Sequence, residues 1–469
     1  MVTTMPASAQ NESLRGATPL ARFAVALVLV ASFGLISSDW TMSRQFPRTQ
    51  DLQFHKQEKV LQQRHDDASG KSAAGFLLLA AAGTIAATQR PLRPLRWTHP
   101  VVIVCLGFVL WCALSILWSP APTLSLRKVA ILLLFLTGTI GMARLIELRD
   151  LCWVVALSCA SFLALGLLAE ISLGAFHPGQ AGYRFCGTFH PNDQGLQCAL
   201  LILAALGLLW QGTRHAWLVG SLLAAGCGGL LLTKSRTALS ALACALVLGM
   251  LLRSRGRQRI LLASSLTVLV CVGIVAYSFF PMGVVKSAES LASMGRTGNV
   301  DSLTGRIPLW QALLRDVGAR PWLGYSYGGY WNADHIEHYS KMFKWQIPNA
   351  HNAYFDLVLS VGIVGLAFYT LCMLGAWFVS LANHERSGDA ADLFACCLIA
   401  FSIVHGFAES KFPFPGMSSA FLFLTLFILT ARSAVDPIET AATIPSRDSM
   451  SRRSPIGWRL LPKYEHELP

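Results

Sequence analysis

The chain has 469 residues, 54% of them hydrophobic and 13% charged, with a formal charge of +13 and a mean hydropathy of +0.50. A soluble core of this size cannot take up so much apolar surface, which excludes an ordinary soluble enzyme and leaves lipid as the partner of the excess. The positive charge does not point to nucleic acid, because the basic residues fall in short runs between apolar stretches and are explained by membrane topology.

The spacing of the apolar stretches predicts about twelve membrane-spanning helices in an all-α, polytopic membrane protein. They are expected at 20–38, 72–89, 99–118, 126–146, 151–174, 194–211, 215–233, 236–252, 260–280, 353–380, 391–408 and 414–431. The closest pairs are split only near Leu148–Asp150 and Lys234–Arg236, and losing either split would invert everything after it. Residues 1–19 are expected to be a cytoplasmic N-terminal segment, 20–431 the transmembrane domain, and 432–469 a basic cytoplasmic tail. The first span is apolar and follows Arg15 and Arg22, yet no small-x-small cleavage site follows it, so it reads as a span and not a removed leader.

With a cytoplasmic N-terminus, the even-numbered connections carry Arg90, Arg93 and Arg96, then Arg144 and Arg149, Arg214, Arg253 to Arg259, and Arg386, as positive-inside topology requires. The segment 39–71 is the exception: it mixes Arg44, Arg48, Lys56 and Lys59 with Asp39, Asp51, Glu58 and Asp66, and is expected to be a solvated outer-face segment. Of the twelve cysteines, only Cys186 falls in a loop. No C-x-x-C spacing occurs, so neither a disulfide framework nor a metal site is implied.

The longest connection, 281–352, is expected on the outer face between the ninth and tenth spans. Within it, Ile307, Trp310, Leu314 and Val317 recur at helical spacing, predicting a surface helix over 306–317. The following Arg320-Pro-Trp-Leu-Gly-Tyr-Ser-Tyr-Gly-Gly-Tyr-Trp331 predicts an ordered turn.

On this topology Arg184, Lys234, Arg236, Arg306 and His351 all reach the outer face, against the usual bias of cations. Arg184 could be a snorkelling interfacial anchor. Lys234 and Arg236 join two spans with almost no loop. A charge costs at least ~2.5 kcal/mol at the helix centre and less near the interface, so a phosphate partner, whether lipid or substrate, is expected. Arg306 near a helix start suits a diphosphate. His351 precedes the tenth span, which Asn352 could cap. An imidazole of ordinary pKa ~6.5 can take a proton from a sugar hydroxyl, and Trp322, Tyr325, Tyr327, Tyr330, Trp331, Trp345 and Tyr354 could stack on sugar rings or simply form an interfacial belt.

Taken together, Tyr183-Arg-Phe-Cys-Gly-Thr-Phe-His-Pro-Asn192, Ser235-Arg-Thr237, Arg306-x-x-x-Trp310, Pro321-Trp-Leu-Gly-Tyr-Ser-Tyr327 and His351-Asn352, followed by a helix with Gly362 and Gly365, resemble the O-antigen ligase and polymerase superfamily. The resemblance implies an inner-membrane, metal-independent inverting glycosyltransferase without a cofactor. Its donor would be an undecaprenyl-diphosphate-linked glycan and its acceptor a glycan or lipid-linked sugar. Membrane lipids, and polysaccharide chain-length or export proteins, would be its further partners, and nucleic acid would not. It implies that Arg236 and Arg306 bind the diphosphate and that His351 activates the acceptor, with Arg184, Lys234, Asn352, Trp310, Tyr325 and Tyr327 as substrate contacts. It leaves open whether the chain polymerises lipid-linked repeats, towards which the aromatic run 324–331 leans, or ligates finished polymer to lipid A core. It explains neither 39–71 nor the basic tail. A secondary transporter would give a similar span count but should gather its polar groups near the midplane of two related halves. A non-catalytic scaffold would tolerate loss of His351 and Arg306.

Overall fold

The computed structural model describes residues 19–51, 54–88, 95–180, 182–254, 256, 258 and 306–432. The expected ninth span, most of the N-terminal segment, and the tail after Arg432 lie outside the described residues. The described residues form fourteen α-helices and one short 3-10 turn, with no strand among them. They are α1 (Pro19–Ser37), α2 (Met42–Asp51), α3 (Phe54–Thr88), α4 (Pro100–Leu114), α5 (Pro122–Ala143), α6 (Leu148–Ser172), α7 (Pro191–Trp210), α8 (Ala216–Thr233) and α9 (Arg236–Arg253). After the undescribed stretch come α10 (Arg306–Ala319), α11 (Ala333–Phe343), α12 (Ala353–Ser387), α13 (Ala390–Gly406) and α14 (Met417–Arg432).

Nine helical stretches among the described residues are long and apolar enough to cross a membrane, and Ala390–Gly406 and Met417–Ala431 are shorter apolar helices. Both close splits hold. α5 stops at Ala143, and α6 restarts at Leu148 through a capping box between Glu147 and Asp150. α8 ends where Lys234 turns left-handed (φ 50°), and α9 begins two residues later. The chain is a multi-pass helical membrane protein. Within 39–71 the described residues form α2 and then the polar first half of α3, before its apolar part from Gly70.

α7 is the central helix, with 78% of its apolar window buried against 28% for α8 and α9. Leu196, Ala199, Leu200, Leu203 and Ala204 lie in the main core with Val154 and Val155 of α6 and Phe394 and Leu398 of α13. Small residues set the closest crossing: a Cβ on Gly141 would stand 1.9 Å from the Gly83 carbonyl oxygen, so α3 and α5 meet backbone to backbone.

α12 is not the single straight span that 353–380 suggests. Its 35 residues would extend about 52 Å, beyond a ~30 Å hydrocarbon core. Gly362 breaks it (φ 69°, ψ −175°). The carbonyls freed at the break accept hydrogen bonds from outside the helix: Leu359 from the Tyr325 N–H (2.8 Å) and Val361 from the Trp111 indole (2.9 Å). The Pro321 carbonyl in turn accepts from the Ile363 N–H at 2.8 Å. Beyond the break α12 pairs with α4, as Val101 meets Gly375 and Trp111 meets Gly365. Before the break, the Tyr354 hydroxyl reaches the Ile403 carbonyl of α13 at 2.7 Å. Ile403 is about 20 Å along α13 from the α12–α13 hairpin, whereas Gly362 is over 35 Å along α12 from it. The break reconciles the two lengths by turning the first nine residues of α12 back towards α13, carrying His351 to the end of that helix.

Over this end sits a small second core built by α10, α11 and the turns beside them: Leu309, Leu313, Tyr330, Tyr339, Ile347, Ala350 and Leu359. The expected surface helix is therefore present, as α10.

Candidate functional site

The end of the bundle beneath this cap gathers the starts of α7, α9, α10 and α12 and the ends of α8 and α13. Ser235 and Thr233 lie against Gly195 of α7, and the Phe185 N–H donates to the Leu232 carbonyl at 2.9 Å. The 183–189 loop is thus tied to the end of α8.

At the centre is Glu409, in the turn between α13 and α14. Its Oε1 accepts from Arg306 Nη2 and from Asn192 Nδ2, both at 2.8 Å, while Oε2 faces His351 Nδ1 at 3.4 Å. Arg306 also donates to the Ala408 carbonyl. The side chains of Arg306, His351 and Glu409 are 14%, 21% and 6% exposed, so the carboxylate is enclosed while the guanidinium and imidazole keep an open edge. Burial pushes the Glu409 carboxyl up, but the hydrogen bond with His351 and the charges of Arg306, His351 and Lys411 outweigh it and hold the acid well below the usual carboxylate range. A carboxylate on Nδ1 favours the tautomer with its proton there, leaving Nε2 as the proton acceptor.

His351 is held on several sides. Its backbone is left-handed (φ 50°), which strains a residue with a Cβ. Its N–H bonds the Asn349 side chain at 2.9 Å, and Trp345 covers the ring with centroids 5.5 Å apart. Asn352 caps α12 by accepting the Tyr354 and Phe355 N–H groups, and its amide donates to the Phe407 carbonyl at 3.0 Å. The Trp310 indole donates to the Ala350 carbonyl at 2.8 Å, so α10 carries both Arg306 and a prop for the histidine turn. Asp356 completes the turn by accepting from the Ala350 N–H (3.0 Å) and the Trp331 indole (2.6 Å).

Arg184 joins through Asn192, donating to its Oδ1 at 2.7 Å and to the Thr233 carbonyl at 2.9 Å. Buried Glu170 shapes its loop by accepting the Cys186 and Gly187 N–H groups at 2.8 and 2.9 Å and the Tyr183 hydroxyl at 2.5 Å. The 39–46 segment packs on the same loop. Asp39 donates its N–H to the Thr188 carbonyl at 2.8 Å, Arg44 bonds the Leu173 carbonyl, and the Phe46 ring lies 5.8 Å from the Arg184 guanidinium carbon.

Of the residues singled out in the sequence, Arg306, His351, Asn352, Trp310 and Arg184 thus form one bonded network. Lys234 and Arg236 stand half-buried at the same end, their side chains without a hydrogen bond or ion pair to the described residues. Tyr325 is half-buried in the cap with Arg320 over its ring at 4.9 Å. Tyr327 is enclosed (1% exposed) against Phe414 in the main core. Sequence reasoning missed Glu409. Its signal was an acidic residue in the Gly406–Gly416 connection, on the face where cations had already been noticed.

Residues 220–370 match the O-antigen ligase family. Over 362 residues the chain is 27% identical to the Exopolysaccharide production protein ExoQ of Rhizobium meliloti (strain 1021), spanning 72% of this chain and 78% of that protein. Over 144 residues it is 27% identical to the General O-oligosaccharyltransferase of Acinetobacter baylyi (strain ATCC 33305 / BD413 / ADP1), spanning 30% of this chain and 23% of that one. The family match contains Lys234, Arg236, Arg306 and His351; Arg184 and Glu409 lie outside it and are tied to it by the contacts above.

Proposed function

We propose that the chain, whose residues 220–370 match the O-antigen ligase family, transfers an undecaprenyl-diphosphate-linked glycan to a sugar hydroxyl on the periplasmic face of the bacterial inner membrane, as an exopolysaccharide or O-antigen polymerase. The observation that carries the reading is the convergence of Arg306, His351 and Glu409 at one end of the bundle. His351 Nε2 takes the proton of the acceptor hydroxyl, and that oxygen attacks the anomeric carbon from the face opposite the diphosphate. The bond from carbon to phosphate oxygen breaks with inversion, and its electron pair leaves on undecaprenyl diphosphate. Arg306 and Arg236 meet the growing charge with fixed guanidinium donors, so the step needs no metal or cofactor. Lys234 and Arg184 are further phosphate contacts. Glu409 acts through others: it orients the imidazole and holds Arg306 in place.

The likeness to the exopolysaccharide production protein over most of both chains favours polymerase. The name of the matched family favours the second reading, a ligase that moves finished polymer to lipid A core. Lipid-linked and surface glycan from cells with wild-type protein or His351→Ala at equal abundance tests both. Accumulated single lipid-linked repeats identify a polymerase, and long polymer retained on the lipid carrier identifies a ligase. An unchanged profile rejects the assignment.

A further inference from the structure

The cap holds a cavity of about 400 Å³ away from the Glu409 centre, between the outward faces of α10 and α11, lined by Gln311, Arg315, Asp316, His338, Tyr339 and Met342 among others. This is within the size range of small-molecule sites. Its floor is a carboxylate set in place by the protein. One oxygen of Asp316, Oδ2, accepts the hydroxyls of both Tyr330 and Tyr339, the latter at 2.7 Å. Oδ1 has no hydrogen-bond partner among the described residues. Burial and the bond to Asp316 push the Tyr339 hydroxyl up to about 12, so it remains a donor at neutral pH. Arg315 and Gln311 stand exposed on the rim without a hydrogen bond or ion pair to the described residues, and exposed His338 has only its ring contact with Tyr339. A fixed carboxylate oxygen beside exposed side-chain donors is the chemistry that takes the vicinal hydroxyls of a sugar.

We propose that this cavity is an oligosaccharide subsite, binding the glycan several sugars away from the bond being made, with Asp316 Oδ1 accepting from a sugar diol and Arg315, Gln311 and His338 donating to ring substituents. The proposal rests on the transferase reading for its substrate class. Gln311 to Asp316 lie about 7 to 15 Å along α10 from Arg306, so one glycan chain can engage both. Helix α10 then fixes the separation between the two sites, because it carries a residue of each.

The test uses full-length protein in detergent and a lipid-free oligosaccharide of a few repeat units, released from the cell's own polysaccharide, with binding followed by saturation-transfer NMR. Wild type is expected to bind, while Arg315→Ala/His338→Ala, which removes no hydrogen bond within the protein, should lose affinity by about tenfold or more. Asp316→Asn should lose it too, and its melting temperature shows whether the cap stays folded. Equal affinity of wild type and the double variant overturns the subsite even if His351→Ala abolishes transfer. Normal subsite binding without any transfer by wild type overturns the transferase reading instead. In transfer assays a higher KM for acceptor with kcat held assigns the bound glycan to the acceptor, and a higher KM for donor assigns it to the lipid-linked chain.

Discussion

Glu409 binds Arg306 and His351 through different oxygens, and this sets what its removal does. Glu409→Gln keeps the volume and the Asn192 contact but leaves Arg306 without its counter-charge, in a site where breaking such a pair costs about 3–5 kcal/mol when fully buried and less at this partial exposure. We expect transfer to fall at least tenfold, with protein abundance near normal, in a membrane-vesicle assay. Glu409→Asp, which keeps charge but shortens reach, should recover part of it. The pH dependence has a definite sign. The folded carboxyl lies below its ordinary value of ~4.3, so its stabilising contribution is complete above that value and is lost as pH falls towards the folded value. Thermal unfolding in detergent should show wild type losing stability below about pH 4 relative to Glu409→Gln. The sequence exposed Arg306 and His351 because cations on an outer face violate a strong topological bias. It did not expose Glu409, because an acidic residue there violates nothing. Its role is visible only once the α13–α14 turn is brought beside α10 and α12.

Among elements, α12 shows where hydropathy stops being informative. The apolar run after Ala353 reads as one span, and nothing in its composition separates the first nine residues from the rest. The break is set by a residue outside any hydrophobic pattern: Gly362 adopts a φ of 69° and lets the Trp322 carbonyl oxygen come within 2.0 Å of where a Cβ would stand. Only glycine permits that approach without moving the Pro321–Tyr325 turn. Gly362→Ala should therefore lower stability by about 1–3 kcal/mol or more. It should also impair transfer more than its distance from His351 suggests, because the returning arm is what delivers His351 and Asn352 to the end of α13. Gly220→Ala on α8, whose added methyl meets nothing within 4 Å, is the control and should be neutral or slightly stabilising in the same thermal assay. Surface helix α10 was legible because its apolar positions recur at helical spacing. The cap above it was not, since α11 and the Tyr330–Asp316–Tyr339 contacts depend on groups distant in the chain.

For the molecule as a whole, eleven of the twelve expected spans fall on described helices, with 260–280 outside the described residues. The polar network collects at one end of the bundle rather than at midplane, which separates it from the arrangement expected of a transporter. The two ends can be told apart by contacts. Arg236 starts α9 at the site end, and Gly249 near its other end meets Trp210, the last residue of α7, and Cys397, midway along α13. Arg306 is back at the site end, bound to Glu409. Arg253 and Arg306 thus lie at opposite ends of the bundle, and the apolar run 260–280, outside the described residues, is the sequence expectation for a crossing between them. On the positive-inside bias of Arg144, Arg149, Arg214, Arg253 and Arg386, we propose that the far end faces the cytoplasm. Alkaline phosphatase fused after Phe343 should accordingly be active and fused after Gly388 inactive, and a fusion after Arg253 should match the second. Activity at both Arg253 and Phe343 would remove the crossing between them. Activity at Gly388 with silence at Phe343 would place Arg306, His351 and Glu409 in the cytoplasm, where a donor presented on the periplasmic leaflet could not reach them.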